Sequence, residues 1–278
     1  MNKIQVTLTV EEGKAIIAQG IQKHPKFIKS FNQGNILFKG GTTVSRITEE
    51  ILGIQLRISG RITSRGTVSS LNNSDEAHSI VYGKNKWINV DERISEITGK
   101  FDEKDLILCG ANAIDAYGNA AIMAGSEGGG NVGKSVSSWY SEGASIIIPV
   151  GIEKLVPGNL NYTLRKSSRK GKSLSYGMSV GLIPLVGEVF TEVEAIRLLG
   201  ADECYVIGSG GLGVAQGSST FELWIYEEED YNRVIDMIKD IKGKNQNISG
   251  IKESLLECQA ICENCGRHIG CGYKYRKL

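Results

Sequence analysis

Apolar residues in this chain come in short unbroken runs rich in β-branched side chains, each closed by glycine and followed by residues at helical spacing. Ile36-Leu37-Phe38-Lys39 leads into Gly40-Gly41-Thr42-Thr43, after which Val44, Ile47, Ile51 and Leu52 recur with the helical period. This predicts a strand, a tight turn and a helix. Asp105 to Cys109 reads as a second buried strand, followed by Gly110 to Asp115 and by the glycine-rich loop Ala124 to Asn131. A helical stretch around Val136 to Ser141 precedes a third apolar strand, Ala144 to Val150. Continuously apolar strands alternating with helices predict a mostly parallel α/β sheet.

The character of the chain changes at Arg165 to Lys172, which holds five basic residues in eight and reads as an exposed linker and domain boundary. Beyond it the pattern predicts a strand over Ser179 to Pro184, a helix over Thr191 to Leu199 and a strand over Glu203 to Ile207. A loop over Gly208 to Ser218, a strand over Thr220 to Tyr226 and a helix over Asp230 to Lys242 complete it. That order suggests a small ferredoxin-like α+β subdomain. The expected division is a core over 1–164, the small subdomain over 173–246 and a cysteine-rich tail over 251–278. Gly208-Ser209-Gly210-Gly211-Leu212-Gly213 lacks the following helix that a dinucleotide fingerprint requires, so a hairpin or substrate-lining loop is expected there.

Composition narrows the class. The chain has 278 residues, 41% of them hydrophobic and 23% charged, which is the make-up of an ordinary globular protein. Thirty-two basic residues against thirty-one acidic ones give no polycationic bias, so nucleic acid is not expected as a partner. No run reaches the length of a membrane span and Met1 to Lys14 has no signal-like apolar core, so a cytoplasmic protein without a membrane partner is expected. The sequence leaves a homo-oligomer open.

Two stretches carry chemistry. The Gly40-Gly41-Thr42-Thr43 turn at a helix start offers backbone N–H groups and two hydroxyls to an anion, such as the phosphate or carboxylate of a small metabolite; a capped helix start without a ligand is the alternative. In the tail, Cys258, Cys262, Cys265 and Cys271 follow the spacing C-x3-C-x2-C-x5-C, with His268 inside the run as a substitute ligand or an outer neighbour. Clustered thiolates are soft ligands and point to a metal centre, either a [4Fe-4S] cluster or Zn2+. The Cys262 to Arg267 segment looks like a zinc knuckle, whereas the closely spaced foursome resembles the cluster loop of the endonuclease III family. His24 and His78 read as surface residues.

The segments GANAID, GNAAIMAGSEGGG and ASIIIPVGIEKLV resemble ribose-5-phosphate isomerase A, and the GGTT turn is similar to that family's phosphate-binding turn. The likeness spans roughly residues 34 to 157 and extends to the wider superfamily with CoA transferases and glucosamine-6-phosphate deaminase. It implies an isomerase/CoA-transferase-like sheet and an enzyme acting on a small phosphorylated, carboxylate or CoA-linked substrate. A binding or redox-sensing protein on the same scaffold is the alternative. Where the isomerase has an acidic pair, this chain has Asn112 and Ala113, neither of which is a general base. Asp115 and Glu127 are then the carboxylates nearest the loops. Ser126-Glu127-Gly128-Gly129 looks like the CoA-transferase S-E-N-G segment, which implies Glu127 as nucleophile or base and Asn112 as an orienting group. Gly128, Gly129, Gly130 and Lys134 complete the expected anion-binding set.

Overall fold

The computed structural model describes residues 1–70 and 75–243. Its centre is a mixed six-stranded sheet. β2 (Asn35–Lys39), β7 (Leu106–Cys109), β10 (Ser145–Pro149) and β12 (Glu188–Phe190) run parallel, and β5 (Ser79–Gly83) and β6 (Lys86–Asn89) extend it antiparallel in the order β12-β10-β7-β2-β5-β6. The reason for the unbroken apolar strands is visible in β2. Ile36 and Phe38 enter the core shared with β1 (Asn2–Leu8), α1 (Val10–Lys23) and α3 (Thr42–Leu52), whereas Leu37 faces a second core with Ile107, Ile146, Ile148 and Trp139. Each face is closed by its own layer.

Local sequence sets the helix starts. Thr9 and Glu12 form a reciprocal capping box at α1, and Thr191 and Glu194 do the same at α7 (Glu192–Leu198). His24, expected at the surface, is buried because it ends α1 and caps α2 (Pro25–Gln33): its Nδ1 accepts from the Lys26 amide at 3.2 Å and its Nε2 meets Glu188 Oε1 at 2.9 Å.

Beyond the basic segment, the expected strands and helices form close to their expected limits: β11 (Gly181–Leu185), α7, β13 (Glu203–Gly210), β14 (Ser218–Ile225) and α8 (Glu228–Gly243). They distribute among several sheets. β11 pairs with β9 (Ala120–Ala124), which also pairs with β8 (Ala113–Ile114); β12 closes the central sheet, and β14 lies between β13 and β1 in a separate antiparallel sheet. The glycine run at 208–213 ends β13 and turns into β14, so it is a hairpin. The remaining elements are a hairpin of β3 (Gly60–Thr63) and β4 (Gly66–Ser69), and the helices α4 (Ile94–Thr98), α5 (Gly130–Ser141) and α6 (Leu160–Lys166). Among the described residues no helix is long and apolar enough to cross a membrane.

Candidate functional site

The carboxyl ends of β2, β7 and β10 open into one cleft of about 610 Å³, a size suited to a small metabolite. β2 delivers Lys39 and the Gly40 to Thr43 turn, the loop after β7 delivers Gly110, Ala111 and Asn112, and the segment after β10 delivers Lys154. Glu11 and Lys14 enter from the first turns of α1, Arg61 from the β3–β4 hairpin, and Ile122, Met123, Met178 and Val180 give an apolar wall. Loops beyond the carboxyl ends of parallel strands are where ligands of such sheets bind.

The turn is shaped for close approach. A Cβ on Gly40 would overlap the His78 carbonyl oxygen, so only glycine lets the chain pass between β5 and α3. Gly41 is extended, and a Cβ there would meet open space within the cleft. No side chain caps α3, and Gly41 serves as its N-cap, so its first N–H groups lie at the cleft without a side-chain acceptor. Cations surround them. Lys14 is held 2.6 Å from Glu11 Oε1, while Glu11 Oε2 is buried without a hydrogen bond from the protein.

Lys39 is a buried cation of the cleft. It is 8% exposed, and its Nζ lies 2.6 Å from His78 Nε2. Burial lowers the Lys39 ammonium below its ordinary value; Cys109 and Asp91 raise it and the Arg57 charge lowers it further. His78, expected as a surface residue in a polar loop, is half-buried, with its Nδ1 at 2.6 Å from the Arg57 carbonyl oxygen. Burial, followed by the Lys39 charge, drives its imidazole well below the usual histidine range. Cys109, the cross-strand partner of Lys39, is pushed up to about 11 by burial and is therefore a thiol rather than a nucleophilic thiolate.

Asn112 stands in the cleft as expected. Its Oδ1 accepts from the Met123 amide at 3.0 Å, which leaves the Nδ2 amide protons for a ligand. Asp115 is not in this cleft. It is buried, and its two oxygens accept from the Tyr117, Asn119 and Leu160 amides and from Asn119 Nδ2 at 2.7 to 2.9 Å. Burial would raise its pKa, but these donors outweigh burial and hold it below the ordinary value. The carboxylate staples the β8–β9 turn to the start of α6.

Glu127 lies elsewhere. Exposed, it lines a shallow depression of about 370 Å³ with Gly128, Gly129, Ser167, Ser168, Arg169 and Lys170. β9 separates the two places: Ile122 and Met123 line the cleft, Ala124 the depression. Gly128, Gly129 and Gly130 all adopt positive φ, so the triple glycine is a backbone requirement of the turn into α5. Lys134 is exposed on α5, and its carbonyl accepts from Ser95 Oγ at 3.3 Å, on the α4 side. The four tail cysteines, Cys258, Cys262, Cys265 and Cys271, and His268 fall outside the described residues; among the described residues no cluster suited to a metal ion occurs.

No protein-family model, no curated protein and no solved structure matches this chain. The geometry therefore stands alone. Sequence reasoning had singled out the turn and Asn112 but missed Lys14, Lys39, Arg61 and Lys154. For Lys39 a signal existed: one cation closing an apolar strand directly before a double glycine.

Proposed function

We propose that this protein is an enzyme acting on a small anionic metabolite bound in the cleft, on an isomerase/CoA-transferase-like scaffold. The observation that carries this reading is convergence: the uncapped start of α3, Lys14, Lys39, Lys154 and the free amide end of Asn112 meet at the carboxyl ends of three neighbouring parallel strands. Backbone N–H groups and ammonium groups together favour a phosphate or carboxylate, and the apolar wall suits a short carbon chain or an acyl group. Glu127 sits in the second depression beside the basic segment, so the nucleophile that CoA-transferase chemistry would require is separated from Asn112. A non-catalytic ligand-binding protein is the second reading, favoured by the full occupation of the Asp115 carboxylate. Isothermal titration with inorganic phosphate and with small phosphorylated and carboxylate metabolites tests both. Binding without turnover of any ligand in the set would favour the second reading.

For the tail, the four thiolates of Cys258, Cys262, Cys265 and Cys271 form a soft donor set suited to a [4Fe-4S] cluster or to Zn2+. Either would neutralise their mutual repulsion, and metal binding would then be coupled to local folding of that segment.

A further inference from the structure

Lys39 stands apart from the other lysines of the cleft. Lys14 and Lys154 are each matched by a carboxylate, from Glu11 and Glu153 at 2.6 and 3.3 Å, whereas the hydrogen-bond partner of Lys39 is an imidazole. That imidazole has a fixed tautomer. The Arg57 carbonyl can only accept, so His78 Nδ1 carries the proton and Nε2 presents a lone pair to Lys39 Nζ. The Asp91 carboxylate holds the arrangement by accepting from the His78 and Ser79 amides at 2.9 and 2.7 Å, and it pairs with Arg57 at 3.2 Å. Ser59 Oγ lies 3.3 Å from the same Nε2 and is a further donor to it. A buried amine beside a neutral proton acceptor, one residue from an anion-binding turn, is the arrangement that makes a lysine nucleophilic.

We propose that Lys39 is a nucleophilic amine that condenses with the carbonyl carbon of an anionic aldehyde or ketone held at the Gly40 to Thr43 turn, with His78 as its proton acceptor. This rests on the cleft being an anion site and adds the class of substrate. The ammonium passes a proton to His78 Nε2, and the freed amine attacks the carbonyl carbon, forming the C–N bond while the C=O π electrons move to oxygen. A proton shifts from nitrogen to that oxygen to give a neutral carbinolamine. The imidazolium then returns its proton to the hydroxyl, the C–O bond breaks, water leaves, and the nitrogen lone pair completes a protonated imine. One ammonium and one carbonyl compound give one iminium and one water, with no oxidant or reductant. The charged and titratable groups around Nζ are His78, Cys109, Asp91 and Arg57, and burial is the largest influence on its basicity.

The test is reductive trapping on the full chain. Protein is incubated at neutral pH with limiting glyoxylate or dihydroxyacetone phosphate and cyanoborohydride, and adducts are mapped by peptide mass spectrometry. Labelling at Lys39 at least tenfold faster than at Lys100, whose side chain is 72% exposed, with slower labelling in His78→Gln and protection by inorganic phosphate, is the expected result. Labelling of Lys39 no faster than of Lys100 overturns the proposal. The wild-type measurement decides this without a variant, and Lys39→Met checks the assignment wherever it folds. Calorimetric phosphate binding separates the two readings. If phosphate binds and Lys39 is not labelled, the nucleophile fails and the anion cleft stands. If Lys39 is labelled but phosphate neither binds nor protects, the reactive amine stands and the anion site fails.

Discussion

Lys39 Nζ and His78 Nε2 lie 2.6 Å apart, a buried ammonium facing an imidazole whose other nitrogen donates to the Arg57 carbonyl. The contact joins the carboxyl end of β2 to the residue that precedes β5, across the same point where Gly40 passes the His78 carbonyl. Both groups are pushed toward neutrality: burial and then the Lys39 charge lower the imidazole, and burial lowers the amine. The end of β2 is thus both a tight crossing of the backbone and the place where a buried amine meets an imidazole in the cleft.

The two glycines of the turn separate folding from binding. Gly40→Ala forces a methyl group into a backbone carbonyl that cannot move aside, so a loss of several kcal/mol, on the order of 3, is expected in chemical denaturation. Gly41→Ala meets nothing within 4 Å and has an extended backbone, so its stability should stay within about 0.5 kcal/mol of wild type. Its methyl group stands where the anion would sit, so phosphate affinity should fall at least fivefold by calorimetry.

Asp115 should behave as a structural residue. Asp115→Ala leaves three backbone amides and the Asn119 side chain without their acceptor and should cost about 3 kcal/mol or more. Since its folded pKa is depressed, its contribution is present above the unfolded value of 3.8 and is lost as pH falls through the folded value. Urea titrations of wild type and variant at neutral and acid pH should therefore converge at the acid end. Phosphate binding by the folded variant should be unchanged.

Glu192 should make the protein less stable as pH rises. Burial first, and then the neighbouring Glu153, push its carboxyl up to about 8 from an ordinary 4.5, while its Oε2 accepts from the Ile152 amide at 2.9 Å. The folded chain then keeps a proton that the unfolded chain has released. Its contribution is complete below pH 4.5 and declines until pH 8, at about 1.4 kcal/mol per pH unit for one proton. Glu192→Gln mimics the neutral acid, so urea denaturation across this window should show a flatter pH profile and a more stable variant at pH 8.

The tail is tested by composition. Protein prepared without oxygen should carry iron and sulfide in cluster proportion with charge-transfer absorption, or zinc without colour. Freely titrating thiols at Cys258, Cys262, Cys265 and Cys271, with neither metal present, would remove the metal-centre claim.

Three of the six central strands, β2, β7 and β10, were legible because burial on both faces leaves unbroken apolar runs, as at Ile36 to Phe38 and Ile146 to Ile148, and the start of α7 was legible because Thr191 and Glu194 mark it within one turn; the short strand β12 and the strands β5 and β6 were not. Long-range pairing was not legible. β1 pairs with β14 at a separation of more than 200 residues, with Asn2 opposite Ile225, and nothing local announces that register. The same limit hid the distance between Glu127 and Asn112, which is set by how β9 pairs with β8 and β11. Asp115 read as a candidate catalytic carboxylate because a carboxylate beside a loop has the same sequence signature whether it faces substrate or accepts backbone amides. Lys39 read as the end of a strand, since its meaning depends on His78 arriving from a strand start 39 residues away.

Whether the cleft holds an anion at the Gly40 to Thr43 turn can be seen in a crystal structure of the full chain with phosphate. Phosphate oxygens should accept from backbone N–H groups at the start of α3, with Lys39 or Lys14 beside them. Phosphate bound elsewhere, with this turn closed off against another part of the protein, would contradict it.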